Sequence, residues 1–341
     1  MQNIGIKGLA VSFLALSAAC AGPVEPAPTA PQQYVDTSVE TARNSQVGFH
    51  TLTSNLIVPD VDMAILHYGA AFGARARSRQ PGPDGHTLHA AMELGDSMLW
   101  LSRANPRQGS QAPAALGGTP VSLTLYVENA DAVFRTALAA GATPVMTVPN
   151  QVWGDRYRMV EDRFGHKWGI VTLLQDLTTA QMAARAELLH PRTSHLTRRP
   201  ARGTAAAEPP ADRYHTLTPD ITVRDIDAML AFCKSALGGQ EIDRSATPEG
   251  HLQYVEMVMG DSMLTLHAEH PETGRVSPES LGGTPFGLMV YVHDVDQAYR
   301  RALTAGARSK SPPRALGGSR RFAEIVDPSG HTWRLIARPQ R

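Results

Sequence analysis

The chain states one pattern twice, at one fixed offset. Gly95-Asp96-Ser97-Met98-Leu99 returns as Gly260-Asp261-Ser262-Met263-Leu264, and Leu116-Gly117-Gly118-Thr119-Pro120 returns as Leu281-Gly282-Gly283-Thr284-Pro285. His50-Thr51-Leu52-Thr53 returns as His215-Thr216-Leu217-Thr218, and Asp162, Gly165, His166 and Trp168 return as Asp327, Gly330, His331 and Trp333. No gap is needed. A period this long exceeds the roughly 20–50 residues of solenoid repeats. It marks a duplicated domain, so function must be read as two related sites free to diverge.

At 341 residues the chain has room for two ordinary domains, which agrees with the repeat. Its formal net charge is zero, which gives no basis for a nucleic-acid surface. Two cysteines, Cys20 and Cys233, exclude a disulfide scaffold or a cysteine-based zinc cluster. Cys233 lies in a helical pattern and reads as a buried structural thiol. Lys7 followed by the apolar run Gly8 to Ala19 reads as a signal peptide over residues 1–20, too short to serve as a spanning helix. Ser17-Ala18-Ala19-Cys20 resembles a lipobox with Cys20 as the lipidation site, although Ser17 stands where Leu is usual. The expectation is export, as a periplasmic or membrane-anchored lipoprotein, with ordinary signal cleavage and secretion as the alternative. Membrane contact is then expected only through the lipid.

Residues 21–46 are rich in Pro and Ala and read as a disordered tether. A first domain is expected over 47–174 and a second over 214–341. Between them, 175–213 holds a short helix at Asp176 to Leu189, with Thr178 and Gln181 at capping-box spacing, then a flexible linker. Within the first domain Leu52 to Val58 reads as a strand. Asp60 or Asp62 can cap a helix carrying Ile65, Leu66, Tyr68 and Phe72, and Gly73 closes it. Pro83-Asp84-Gly85 signals a hairpin, with strands through Leu88–Leu94 and Met98–Leu101. The order then restarts: a strand at Val121–Val127, a helix at Ala130–Ala140, and strands near Val145–Val148, Tyr157–Glu161 and Trp168–Thr172. Strand–helix–three strands thus occurs twice per domain and four times per chain.

With these motifs the chain resembles the vicinal oxygen chelate superfamily of glyoxalase I, extradiol dioxygenases and bleomycin-binding proteins, in its PhnB-like branch. The residues carrying the likeness are Pro81 to Gly85, Gly95-Asp96-Ser97, Leu116 to Pro120, Gly141-Ala142, Asp162 to Trp168 and Asp327 to His331. The resemblance implies an α+β fold: two tandem domains, each of two βαβββ modules forming an open, cup-like eight-stranded sheet. It implies an intrachain pseudo-dimer, with module pairing open between partners in one domain and partners across the two.

In metal-using relatives the cup floor carries His, Gln or Glu at four strand positions. Those places fall here on Thr53, Trp100, Ser122 and Gly169, and again on Thr218, Thr265, Gly287 and Arg334. Hydroxyl, indole, hydrogen and guanidinium are poor donors for a divalent ion. No cofactor is therefore expected, a divalent metal being the alternative. Thr53, Trp100, Ser122, Thr218, Thr265 and Arg334 are the expected ligand-binding residues, since indole stacks planar ligands and guanidinium pairs anions.

His89 and Glu93, and likewise Tyr254 and Glu256, alternate along a strand and share a face. His89 and Glu256 are the candidate acid–base residues. His86 and His166 follow Gly at hairpin turns and are expected near the rim, and His267 and His270 just past a strand end in surface loop. Leu116 to Pro120 reads as a connector, because a strand and not a helix follows it. The leading functional expectation is metal-independent binding of a small molecule in the cups. The alternatives are a glyoxalase-type lyase or isomerase or a dioxygenase-like enzyme, and a tethered scaffold with vestigial sites.

Overall fold

The computed structural model describes residues 49–146, 155–173, 215–247, 249–315 and 321–337. The leader with Cys20, the tether, the Asp176 to Leu189 helix and the linker lie outside the described residues.

Four modules follow one another. The first is β1 (Leu52–Val58), α1 (Val61–Phe72), β2 (Arg75–Pro81), β3 (Thr87–Leu94) and β4 (Ser97–Arg103). After a short α2 (Pro113–Leu116) comes the second: β5 (Val121–Tyr126), α3 (Ala130–Ala139), β6 (Thr143–Met146), β7 (Arg156–Glu161) and β8 (Lys167–Thr172). The third is β9 (Leu217–Val223), α4 (Ile226–Leu237), β10 (Gln240–Ala246), β11 (Leu252–Met259) and β12 (Ser262–Ala268). A short α5 (Pro278–Leu281) leads to β13 (Phe286–Val292), α6 (Val295–Thr304), β14 (Arg308–Ala315), β15 (Arg321–Val326) and β16 (Thr332–Ala337). The strand expected near Val145–Val148 starts earlier, at Thr143, and pairs with β7 through an irregular register at Pro144 and Met146.

Local chemistry sets the helix ends. Asp60 is extended and accepts from the Met63 N–H at 3.0 Å, while Gly73 closes α1 in the left-handed region at φ 73°. Asp62 acts differently. It accepts from the backbone N–H and hydroxyl of Thr87 at 3.1 and 2.6 Å, tying α1 to β3. Val61, Ala64, Ile65, Tyr68 and Ala71 recur at helical spacing and are buried, so one face of α1 packs on the sheet.

Each eight-stranded sheet takes one module from each half of the chain. The first has the order β14-β15-β16-β13-β1-β4-β3-β2, and the second β10-β11-β12-β9-β5-β8-β7-β6. The halves therefore exchange modules. The junctions are antiparallel: Asn55 lies opposite Gly287 between β1 and β13, and Ser122 opposite Asp220 between β5 and β9. The two modules of one half meet instead through their helices, α1 on α3 and α4 on α6. A single apolar core runs through all four modules.

The repeated motifs tie the two sheets together across the halves. In the Gly-Asp-Ser turn of the first module, Asp96 Oδ1 accepts from the Thr216 N–H at 2.7 Å and Ser97 Oγ from the Leu217 N–H at 3.1 Å. In the third module Asp261 Oδ1 accepts from Thr51 N–H at 2.6 Å and Ser262 Oγ from Leu52 N–H at 3.0 Å. Each turn thus docks on the start of the other half's first strand. The glycine is required twice over. Gly95 has φ 59°, and a Cβ there would lie 2.2 Å from Thr216 Oγ1; Gly260 meets Thr51 in the same way. Between the two turns His50 and His215 stack, ring centroids 3.2 Å apart. Each donates Nε2–H at 2.8 Å to a turn carbonyl, His50 to Asp96 and His215 to Asp261.

His166 and His331 are buried rather than at the rim, 2% and 1% exposed. His166 Nε2 bonds the Ile57 carbonyl at 3.0 Å and His331 Nε2 the Thr222 carbonyl at 2.8 Å, each reaching into the other sheet. Asp162 organises the turn behind His166: it accepts from the N–H groups of Phe164 and His166, from Trp168 Nε1 at 2.9 Å and from Tyr68 Oη at 2.7 Å. The Leu-Gly-Gly-Thr-Pro connectors face each other too, with Leu116 against Gly283 and Leu281 against Gly118. Cys233 is buried, and burial pushes its thiol well up.

The docking predicts that Gly95→Ala lowers stability by about 1–3 kcal/mol, from a non-Gly left-handed residue and a steric clash. A lower urea midpoint at unchanged m-value checks it, and an unshifted midpoint contradicts it. The seam is also proton-linked. Burial alone would raise the Asp96 carboxyl, but Thr216, His215 and Ser97 outweigh it and hold it down at about 2. His50 is raised above 6.5, since Asp261 and Asp96 outweigh the lowering by burial. The Asp96 contribution is present above pH 3.8 and lost as pH falls toward about 2. The His50 contribution is full below its ordinary value and lost as pH rises through its folded one. His50→Gln is therefore expected to cost more stability near pH 5.5 than near pH 8.5, in paired denaturation curves. An equal cost at both pH values contradicts the linkage.

Candidate functional site

Alternation along each strand sorts side chains between core and cup. In the first sheet Leu56, Leu99, Leu101, Leu288, Trp333 and Leu335 enter the helix-side core. Their neighbours Asn55, Trp100, Ser102, Gly287, Met289 and Arg334 therefore face the open side. In the second sheet Leu123, Trp168, Ile221, Leu264 and Leu266 enter the core. Ser122, Gly169, Asp220, Thr265 and His267 face the open side.

Module exchange regroups the expected positions. Thr53 and Trp100 share the first cup with Gly287 and Arg334, while Thr218 and Thr265 share the second with Ser122 and Gly169. Ser122 and Gly169 never meet Thr53 or Trp100 in one sheet, although all four belong to the same half of the sequence.

The first cup is apolar with polar margins. Met289, Phe322 and Ile336 form a separate cluster, with Trp100 and Tyr291 packed against it. The indole Nε1 of Trp100 and the hydroxyl of Thr53 are buried without a hydrogen-bond partner among the described residues. An unmet buried donor is costly, which makes both atoms natural contacts for a ligand. Arg334 donates to Glu324 from Nε at 3.1 Å and Nη2 at 2.8 Å. Burial would raise the Glu324 carboxyl, but Arg334 outweighs it and holds the carboxyl below its usual value. Arg314 lies 4.5 Å over the Phe322 ring. His89 bonds Ser102 Oγ at 3.0 Å, and that hydroxyl donates to Asn55 Oδ1 at 2.8 Å. Glu93 pairs with Arg77. The His89–Glu93 face thus belongs to the cup.

The second cup is polar at the corresponding places. Asp220 stands where the first cup has Asn55, and His267 where it has Ser102. His267 lies within β12, not past its end, and its Nε2 is 3.0 Å from Asp220 Oδ2. His270 does sit beyond the strand, in the following turn. Ser122 also bonds the Asp220 carboxylate, and Arg275 Nη1 lies 3.9 Å from it. Burial would raise Asp220; His267, Arg275 and Ser122 outweigh this and hold it below the usual carboxylate value. Gly169 has a local reason: a Cβ there would come within 2.8 Å of Tyr157 Oη, so the missing side chain lets the phenol lie across the strand. Burial, then the Asp220 charge, pushes the Tyr157 phenol up to about 12. Glu256 is 8% exposed and accepts from Tyr254 Oη. Thr218 is buried, and Thr265 lies opposite both Asp220 and Glu256.

Asn55, Ser102, Asp220, His267 and Tyr157 were not among the expected site residues. The signal was present, because Asn55 and Thr53 share a face at spacing two, as do Asp220 and Thr218.

The donor sets do not suit a chelated cation. In the first cup a guanidinium fixed by Glu324 stands among hydroxyl, indole and glycine. In the second, Asp220 is committed to His267 and Ser122. Among the described residues, three His, Cys, Asp or Glu side chains come within reach of one ion at His50, His215 and Asp261. That group lies at the seam, where it holds the turns, and not in a cup.

Residues 48–170 and 213–335 each match the family described as glyoxalase/bleomycin resistance protein/dioxygenase superfamily. An uncharacterized protein of Mycobacterium tuberculosis is 40% identical over 136 residues, 39% of this chain and 80% of that protein. Its Mycobacterium bovis counterpart is 40% identical over 136 residues, 90% of that protein. Glyoxalase I from Zea mays superimposes with a TM-score of 0.55 at 15% identity, covering 84% of this chain and 92% of that one. At that identity the likeness concerns the fold.

Proposed function

We propose, from the premise that this chain belongs to the glyoxalase/bleomycin resistance protein/dioxygenase superfamily, that its first cup captures a small molecule without a metal. The ligand is planar and largely apolar, and it carries one hydrogen-bond acceptor. The supporting observation is Trp100: its ring packs on the Met289, Tyr291, Phe322 and Ile336 cluster, and its buried N–H has no partner among the described residues. A planar ligand stacking on the indole and placing a carbonyl against Nε1 and Thr53 Oγ1 would satisfy both orphan groups. Arg334 acts as a wall rather than an anion clamp, since Glu324 already holds it. The signal-like leader extends this reading to an exported protein that works outside the cytoplasm, tethered through Cys20.

2-Acetylnaphthalene has the required plane and carbonyl. Calorimetric titration is expected to show saturable binding to the full chain, and a thermal shift should follow by mass action. Trp100→Phe keeps a ring but loses the N–H, and is expected to weaken binding about five- to tenfold. Trp100→Ala should abolish it. Binding should survive exhaustive chelation. Unchanged affinity in Trp100→Ala, or loss on chelation, would contradict the reading.

A further inference from the structure

We infer that the second cup is a separate proton-accepting site. There His267, oriented by Asp220, takes the proton of a weakly acidic aromatic hydroxyl compound, and the cup retains the ligand as its oxyanion. The inference stands on the second cup alone and does not depend on capture in the first.

The geometry fixes the tautomer. An ionised carboxylate only accepts, so the 3.0 Å contact from Asp220 Oδ2 requires the hydrogen on His267 Nε2. The neutral ring then keeps its lone pair on Nδ1. That atom makes no hydrogen bond with the described residues, and the side chain is 22% exposed on the open face. A base held by a carboxylate on its far nitrogen is the arrangement that fixes an imidazole for proton transfer and steadies the imidazolium formed. His267 itself, then Arg275 and Ser122, outweigh burial and hold the Asp220 carboxyl below its usual value. The first cup has no such pair, since neutral Asn55 and Ser102 occupy the equivalent places.

The surroundings select the ligand class. The Tyr254 ring lies 5.1 Å from His267. Tyr157 shares the cup face and lies within reach of the Asp220 charge, so two aromatic side chains, Tyr254 and Tyr157, border the place of a planar guest. The ionisable groups facing the site include Asp220 on β9, Tyr254 and Glu256 on β11, Asp243 opposite Glu256 on β10, Tyr157 on β7 and Arg275 beyond β12. Tyr254 donates to Glu256, and His267 is the group whose far nitrogen is held by a carboxylate, which makes its Nδ1 the assigned proton acceptor. Arg275, whose side chain is 36% exposed, supplies the positive charge for an oxyanion. The step balances without a co-reactant. The ligand O–H bond breaks, its proton moves to Nδ1, and its electron pair stays on oxygen. The net charge of the complex is unchanged.

The probe is 4-nitrophenol, added to the full chain at a pH where the free compound is mostly protonated. Binding is expected to raise the visible nitrophenolate absorption to a stoichiometric plateau. His267→Gln and Asp220→Asn should each cut the bound phenolate-to-phenol ratio by about tenfold or more, equivalent to a shift of about one pKa unit. Circular dichroism and melting curves establish that both variants fold. In the wild type, 15N NMR should show the His267 Nδ1 resonance move from the lone-pair to the protonated position as the probe binds, which a structural histidine would not do. Saturating 2-acetylnaphthalene should leave the band unchanged. A probe bound only as neutral phenol, an intact band in folded His267→Gln, or a static Nδ1 resonance would each overturn the inference. Displacement by 2-acetylnaphthalene would assign the probe to the first cup. It too would overturn the inference, while leaving the first-cup reading standing.

Discussion

Two carboxylates hold the molecule in its arrangement. Asp96 and Asp261 each project from a glycine turn and accept backbone N–H groups at the start of the other half's first strand. Hydrogen bonds to a charged acceptor are the stronger kind, about 1.5–3 kcal/mol each. Because the contact is reciprocal, it ties the two sheets together at the starts of β1 and β9, while the antiparallel pairing of β1 with β13 and of β9 with β5 decides which modules share a sheet. The buried links from His166 to Ile57 and from His331 to Thr222 also join the two sheets, each within one half of the chain. The make-up of both cups follows from that pairing.

A symmetric dimer of one short chain would carry two identical cups. Covalent duplication removes that constraint. The structural motifs have stayed alike in both halves: the glycine turns, the Asp–His–Trp turns and the Gly-Gly connectors. The floors have not. Asn55 is answered by Asp220, Ser102 by His267, Trp100 by Thr265 and Arg334 by Gly169. One floor offers an indole with an unmet N–H beside apolar side chains. The other offers a carboxylate–imidazole pair. The shared residues therefore report on assembly and the differing residues on chemistry.

The repeat, the strand–helix–three-strand order and most element positions were legible in the sequence, because they rest on local signals such as the Asp60 cap, the Gly73 stop and strict alternation in β5. Module pairing was not. Both halves carry the same strand motifs, so pattern alone cannot tell whether β1 prefers β5 or β13. The floor positions Thr53 and Trp100 are legible from the family pattern, yet that pattern groups them with Ser122 and Gly169, which the exchange sends to the other cup. Asp220 shares a face with the family's floor position Thr218 at spacing two, but the family pattern points to Thr218 and passes over it. His267 reads as loop because β12 runs farther than its apolar residues indicate, ending at Ala268. His166 sits in a turn, as its Gly-His context implies, but that turn is inserted between sheets and is buried.

The central claim is the cross-half pairing of first strands, and backbone NMR tests it most directly. Inter-strand contacts should join Thr53 with Met289 and Asn55 with Gly287, and likewise Thr124 with Thr218. Contacts joining β1 to β5 within one half would contradict the exchange, and with it the composition of both cups.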